Sequence, residues 1–364
     1  MAGGSSFADA TVSVIIPVYN AQETLDQCLR SVRGQSHSSL DIICLNDGST
    51  DSSLAIMRRH ESEDPRIRVV DKANEGYGAT CNRGLDLARG SWIAIVEPDD
   101  WIGAKAFSTM LSAAYGAERM IDIVKTPWFD VSTGEGGNEA ERPCVLAGRM
   151  SASSSKTFSI SEHPILLRVH PAIWSALYRT GFLRDRRIRF REFPGAGWAD
   201  NPFLIETMCQ ADRILYVDEP FYRYRVDNPA SSSHDVRPEA VAIPFDRWTE
   251  MLEVLDRLGI EDRRILSAHY ARGFNYADDA RRRFGSDNEL VKRGVVQMFT
   301  RMDPSIVRRI PHLSPARRRM FFDVRGERAP YIPRLGWCAH VMGELVATFK
   351  AAGPISVLHR IIRR

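Results

Sequence analysis

Cysteine is scarce in this chain: six in 364 residues, at positions 28, 44, 81, 144, 209 and 338, with no CxxC pair among them. A disulfide scaffold is excluded, and reduced thiols in a cytosolic protein are the expectation. Long apolar runs are missing as well. The run Val12-Ser-Val-Ile-Ile-Pro-Val18 is short and broken by Pro17, and residues 337–349 are interrupted by His340 and Glu344. Nothing reaches the roughly 20 residues that span a bilayer. Residues 1–10 lack the basic start of a secretory leader. The chain is therefore expected in the cytoplasm, able to touch the inner face of the cytoplasmic membrane but not to cross it. Net charge is nearly absent, at +3, yet it is unevenly placed. Residues 251–364 carry 22 basic and 12 acidic side chains, which leaves 27 and 34 for residues 1–250. Several motifs are missing too. No GxGxxG follows the first strand-like run, since Gly76-Tyr-Gly78 comes after the third and lacks the last glycine. There is no GxxxxGK[ST], no zinc-spaced His/Cys cluster and no GxSxG elbow. Dinucleotide binding, P-loop chemistry, structural zinc and α/β-hydrolase catalysis are thereby excluded.

Against these absences stands an ordinary folded composition, 44% hydrophobic and 26% charged, long enough for one large domain or two. Between residues 12 and 96, β-branched runs alternate with helical spacing. Val12-Ser-Val-Ile-Ile16, Leu40-Asp-Ile-Ile-Cys-Leu45, Ile67-Arg-Val-Val70 and Trp92-Ile-Ala-Ile-Val96 read as four strands, the first ending at Pro17. Leu25, Cys28, Leu29 and Val32 recur on one helix face. Leu54, Ile56 and Met57, then Leu85, Leu87 and Ala88, mark two more helices. This alternation predicts an α/β fold: a Rossmann-like, mostly parallel central sheet flanked by helices, with any site at the carboxyl ends of the strands. Beyond residue 100 the signal thins. Residues 121–124 and 214–217 read as strands, 201–211 as a helix, the Gly/Ser-rich stretch 132–161 as a long mobile loop or an irregular hairpin, and 228–235 as a loop. Helical patterns dominate from about 240 to 300, and prolines at 311, 315, 330 and 333 keep later helices short.

Each of the four strand ends carries polar chemistry: Pro17-Val-Tyr-Asn20, Asn46-Asp-Gly-Ser-Thr-Asp51, Asn74-Glu-Gly-Tyr-Gly78 and Glu97-Pro-Asp-Asp100. A single loop carboxylate usually caps the helix that follows it. Four such loops in succession, brought to one crevice by the topology, would repel one another unless a cation or hydrogen-bond donors neutralise them. Glu97, Asp99 and Asp100 supply hard oxygen ligands suited to Mg2+ or Mn2+, ions that in turn suit a diphosphate. Asp47 is placed to accept from a ring N–H or a ribose hydroxyl.

In this order and spacing, residues 12–100 resemble the N-terminal half of the family 2 glycosyltransferases with the GT-A fold, in a variant similar to bacterial surface-polysaccharide enzymes. The four loops carry the resemblance together with Asn82-Arg-Gly84 and Ala88-Arg-Gly-Ser-Trp-Ile93. It implies that residues 97–99 stand at the family's Asp-x-Asp metal position. Glu97 replaces the usual first Asp there, so Asp99 is the expected metal ligand. Nucleotide-sugar contacts are implied for Pro17, Tyr19, Asn20, Asp47, Asn74, Gly76, Asn82, Glu97 and Asp99, with Asp47 on uracil or another base. Residues 174–183 and 188–192 are similar to the acceptor-side segment. Ala199-Asp-Asn-Pro-Phe203 falls where the family has Glu-Asp followed by Phe, which makes Asp200 the expected base. Asp100, Trp101, Trp198, Arg223, Arg225 and His234 are expected at the edge of the site as phosphate or acceptor contacts. The two tryptophans suit a buried core as well, and Arg223, Arg225 and His234 suit a solvated basic loop.

The resemblance implies an inverting glycosyltransferase that depends on a divalent cation, Mn2+ or Mg2+. It would move a sugar from a nucleotide-sugar donor, a UDP-sugar first, to a hydroxyl of a saccharide or lipid-linked saccharide. A nucleotidyltransferase is the rival enzyme, and a non-catalytic carbohydrate- or lipid-binding protein of the same fold is the rival of another class. The recognised part covers about residues 11–230, which gives an expected catalytic domain over 1–235 and a basic, mainly helical C-terminal extension over 236–364. Its arginines at 281–283, 308–309, 317–319 and 363–364 suit peripheral contact with anionic lipid headgroups or packing within the protein. Nucleic acid is not expected, because no aromatics interleave the basic clusters.

Overall fold

The computed structural model describes residues 7–134, 138–150, 157–228, 237–310 and 313–328, with 338, 341–342 and 345–346. The first β-branched run becomes strand β1 (Val12–Val18), buried along its whole length. It pairs in parallel with β2 (Leu40–Asp47) and with β4 (Trp92–Ile95), and β2 pairs in parallel with β3 (Ile67–Lys72). The first strand was expected to stop at Pro17, and it continues one residue further. Its register with β4 ends at Ile15, whose carbonyl accepts from the Val96 amide at 3.0 Å. Pro17, two residues on, therefore has its missing N–H on a side where no rung is needed. Helices α1 (Leu25–Arg33), α2 (Ser53–Glu63) and α3 (Tyr77–Leu87) make the crossovers, and α1 buries the expected stripe of Leu25, Cys28, Leu29 and Val32.

After β5 (Trp101–Ile102) and α4 (Ala106–Tyr115) come β6 (Ile123–Lys125), β7 (Trp128–Thr133) and β8 (Glu139–Pro143). Then follow β9 (Ala176–Arg179), α5 (Thr180–Asp185), α6 (Asp200–Gln210), β10 (Ile214–Tyr216) and β11 (Tyr222–Arg225). Among the described residues these strands form a seven-stranded sheet, in order β10-β6-β9-β4-β1-β2-β3, and a four-stranded sheet, in order β5-β11-β7-β8. In the larger sheet β9 alone runs antiparallel to its neighbours, β4 and β6. Strand β8 pairs antiparallel with β7, in line with the hairpin alternative expected for this stretch. All of its residues are exposed, so it carries no apolar alternation for a sequence reading to detect.

The described parts fall into two compact units, residues 1–160 with 171–234 and residues 161–170 with 235–364. The second is helical: α7 (Ile243–Arg257), α8 (Arg263–Phe284), α9 (Glu289–Thr300), α10 (Pro304–Val307) and α11 (Pro315–Val324). Side-chain caps from Asp262, Asn288, Asp303 and Ser314 start four of these helices. Phe245, Trp248, Phe274, Phe299, Phe321 and Phe322 fill its core. Several arginines of the basic clusters are engaged within the unit, Arg282 from an exposed position. Buried Arg318 donates to the carbonyls of Leu313, Arg308 and Ile310, Arg317 pairs with Asp278, and Arg282 and Arg283 pair with Asp279. No described helix is long and apolar enough to cross a membrane.

The core of this unit contains one misfit. His269 is fully buried, its ring stacked nearly parallel on that of Trp248 with centroids 4.6 Å apart, and neither ring nitrogen has a hydrogen-bond partner. Burial, with the Arg272 charge, pushes the imidazole down to about 3. The unfolded chain takes up a proton as pH falls below about 6.5 and the native chain does not, so stability is lost through that range. Replacing His269 with Phe keeps the stacked ring and removes two unsatisfied nitrogens. Urea denaturation of H269F should show a gain of about 1 kcal/mol at pH 8. The wild-type loss of roughly 2 kcal/mol between about pH 8 and about pH 5 should be largely absent from the variant.

Candidate active site

The loops after β1 and β2 are laced to each other. Asn20, in the left-handed region at φ 49°, accepts from the Thr50 amide at 2.8 Å, and its own amide donates to the Ser49 hydroxyl at 3.0 Å. Asp51 accepts from the amides of Gln22 and Ser53. Tyr19 projects from this lacing, 55% exposed, while Pro17 is buried within β1.

Asp47 is the last residue of β2 and is buried. Lys72, at the end of β3, donates to one carboxylate oxygen, and the Glu75 amide reaches the same atom at 2.9 Å. The Gly76 amide donates to the other oxygen at 3.0 Å. Burial alone would raise this carboxyl, but Lys72 and the amide outweigh it and hold Asp47 below the usual carboxylate range. Asn74 closes the turn by donating to the Asp47 carbonyl at 2.9 Å. Asp47 is thus the anionic cap on the start of α3.

The two glycines that open α3 permit a close approach. A Cβ at Gly76, where φ is 90°, would lie 2.4 Å from the Phe193 carbonyl oxygen, and one at Gly78 would lie 2.1 Å from that of Arg191. Segment 190–198 consequently rests on the helix backbone, with the Tyr77 amide donating to the Gly195 carbonyl at 2.9 Å. Asn82 clamps the same segment. Its carboxamide accepts from the Phe190 amide at 2.9 Å and donates to the Phe190 carbonyl and the Glu192 carboxylate, each at 3.0 Å. Phe190 stacks on Phe203 of α6 at 3.9 Å. The docked segment leads through Trp198, itself left-handed at φ 55°, to Asp200, the first residue of α6. The Asp200 charge reaches Glu97 and Tyr77, raising the proton affinity of both.

The turn after β4 holds the remaining carboxylates. Tyr77 donates to Glu97 at 2.6 Å. Burial pushes Glu97 up to about 8; the Tyr77 bond opposes this, and the charges of Asp99 and Asp200 add to it. Asp100 is buried, and burial with the Asp99 charge raises it well above the carboxylate range. It accepts from the Tyr222 hydroxyl at 2.8 Å and the Arg225 amide at 2.9 Å, while the Glu97 amide donates to the Tyr222 oxygen at 3.0 Å. Asp99 is half-buried and accepts from the Asn228 side chain at 3.0 Å. Trp174 lies flat against Tyr222, ring centroids 4.0 Å apart, and stacks on Tyr224 at 5.2 Å.

The structure therefore gathers Glu97, Asp99, Asp100 and Asp200 into one electrostatic group beside Tyr77. It gives Asp47, Asn74, Gly76 and Asn82 internal contacts that build the frame of that group. Arg223 and Arg225 are engaged with β8: Arg223 pairs with Glu141 at 2.7 Å and Arg225 with Glu139 at 3.3 Å. The Arg225 guanidinium also lies 4.9 Å from the centre of the Trp101 ring. His234 lies outside the described residues. Sequence reading passed over Tyr77, Tyr222 and Lys72. Tyr77 stood inside a quoted motif, between its two glycines, and the alternation Tyr222-Arg-Tyr-Arg225 marked a strand that presents tyrosines to one side.

The family whose profile matches this sequence is described as glycosyl transferase family 2, over residues 13–170. An uncharacterized glycosyltransferase of Bacillus subtilis, EpsJ, is 31% identical over 60% of this chain and 62% of its own length. A poly(ribitol-phosphate) beta-glucosyltransferase of Bacillus spizizenii is 36% identical over 59% of this chain and 32% of its own. The match spans about three fifths of the length of the first such relatives. Among solved structures, residues 1–349 of S. aureus TarS in complex with UDP-GlcNAc superpose with a TM-score of 0.64 at 16% identity, covering 94% of this chain and 92% of that one. That likeness establishes the GT-A fold.

The Tyr77 hydroxyl favours the ionised form of Glu97, so its removal has a fixed sign. In Y77F the Glu97 carboxyl should titrate above its present value of about 8. A carboxyl-carbon NMR titration of Glu97 in the two proteins measures the shift, and an unchanged or lowered value would contradict the assignment.

Proposed function

We propose that this chain, whose residues 13–170 belong to glycosyl transferase family 2, moves a sugar with inversion from a UDP-sugar to a hydroxyl of a saccharide or lipid-linked saccharide. The observation that carries this reading is the gathering of Glu97 and Asp99, in the turn after β4, with Asp200 at the start of α6. Inverting transfer in one step needs a base for the acceptor hydroxyl and neutralisation of the departing diphosphate, and no protein nucleophile. Asp200, held at the start of α6 by the docked segment 190–198, takes the acceptor proton. Glu97 and Asp99 face the donor side. The recorded activity of the Bacillus spizizenii relative and the UDP-GlcNAc bound to TarS support a UDP-sugar as donor.

A hard divalent cation, Mn2+ or Mg2+, fits this donor set. Burial raises Glu97, the charges of Asp99 and Asp200 add to it, and a cation would relieve that added repulsion. Among the described residues no three His, Cys, Asp or Glu side chains form a ready cation cage. An open site using one or two carboxylates and the donor phosphates is the arrangement that remains. Asp99 would hold the ion, with Glu97 beside it, and the ion would supply charge neutralisation to the leaving diphosphate. The exposed Arg309 and Arg319 would serve contact with a lipid-linked acceptor at a membrane surface.

A panel of nucleotide-sugars, screened by thermal stabilisation and by Mn2+-dependent hydrolysis, identifies the donor. With that donor, D200N should bind as tightly as wild type while kcat falls by about 10²–10⁴. D99A should lose the part of donor binding that depends on Mn2+. Transfer by D200N at the wild-type rate would remove Asp200 as base, and nucleotide transfer to a sugar phosphate would favour the rival enzyme class.

A further inference from the structure

Lys125 is a buried charge that the chemistry above leaves unused. It ends β6 and is 2% exposed. Its ammonium donates to the carbonyl oxygens of Ala172 at 2.5 Å and Ser175 at 3.1 Å, and it lies 5.7 Å from the centre of the Trp128 ring. No carboxylate pairs with it among the described residues. Burial pulls the amine down to about 7.

Both carbonyls already have a backbone donor. The Ser175 amide serves Ala172 at 3.0 Å, and the Thr126 amide serves Ser175 at 3.1 Å. The ammonium is therefore not needed to satisfy them, and burying it is costly. What it adds is a second grip on the turn 172–175, whose first residue, Ala172, is left-handed at φ 41°. The grip is reinforced by the Tyr178 hydroxyl, which donates to the Ile173 carbonyl at 2.8 Å, and by the paired hydroxyls of Thr126 and Ser175. The turn carries Trp174, which lies 20° from parallel with Tyr222. Tyr222 in turn bonds Asp100 and the Glu97 amide.

We propose that Lys125 is a positioning residue. Its hold on the Ala172 and Ser175 carbonyls fixes the turn that presses Trp174 onto Tyr222, and through Tyr222 it sets the acidic turn 97–100. The effect on donor binding rests on the transferase reading; the effect on the aromatic stack does not.

The test replaces Lys125 with Met, which fills similar volume without charge and leaves both carbonyls bonded. K125M should melt close to wild type, change the near-UV circular dichroism of the Trp174–Tyr222 stack, and weaken Mn2+-dependent UDP binding by about tenfold. Y222F should weaken binding similarly, and the K125M/Y222F double variant no further, because both act on one chain of contacts. Additive losses in the double variant, or K125M with wild-type dichroism and UDP affinity, overturn the proposal. So does a melting temperature lowered by more than about 10 °C, which makes Lys125 a folding residue. Wild-type protein that binds no UDP refutes the transferase reading, and the dichroism of K125M against W174F still decides whether Lys125 holds the stack.

Discussion

Like charges gathered in a poorly solvated place are the constraint around which the sheet-bearing unit is arranged. Glu97, Asp99, Asp100 and Asp200 each raise the proton affinity of a neighbour, and two of them are taken out of water. The fold answers with a tyrosine for each buried carboxylate, Tyr77 for Glu97 and Tyr222 for Asp100. A hydroxyl donor favours the anion without adding a countercharge. An arginine in either place would neutralise the group permanently. The two arginines nearest in sequence, Arg223 and Arg225, point instead to carboxylates of β8.

Two supports fix the turn from different directions. From one side comes α3, whose paired glycines admit the segment 190–198 and whose Asn82 clamps it, so that Asp200 arrives beside Glu97. From the other comes the stack Trp174–Tyr222, backed by the cradle around Lys125. Both supports join residues more than a hundred positions apart in the first case and about fifty in the second. Neither is a local structure, and both act through rigid groups: helix backbone, fused rings and hydrogen-bonded carbonyls.

This distance explains what could be read from the sequence. The strands β1 to β4 announced themselves through β-branched runs, and their carboxyl ends located the acidic loops, because both signals are local. The expectation for Asp200 rests on resemblance to a family pattern and not on any physical feature of its own surroundings in the sequence. The roles of Asn82 and Gly78 escaped the reading because their partners, Phe190 and Arg191, lie in a stretch with no periodicity. Strand β8 was legible only as one of two readings, loop or irregular hairpin, because an exposed edge strand of Glu-Ala-Glu-Arg-Pro shows no apolar alternation. Lys125 looked like any strand-end lysine, since an ammonium held by carbonyl oxygens leaves no acidic partner in the sequence to give it away.

The uneven charge of the chain takes on a different meaning once the positions are known. In the helical unit Arg318 is surrounded by backbone carbonyls, and Arg272 donates to the carbonyls of Leu167 and Val169, so each guanidinium acts as an internal cap. Arg317 and Arg283 face aspartates of α8. A charge used in this way still contributes to the net count but little to the potential at the surface, because its field is met at contact distance by carbonyl dipoles or carboxylates. Any attraction to an anionic surface must then come from the arginines that remain exposed, such as Arg309 and Arg319. The basic surplus of residues 251–364 is accordingly first a means of joining short helices whose last carbonyls need donors, and only in its exposed remainder a means of docking.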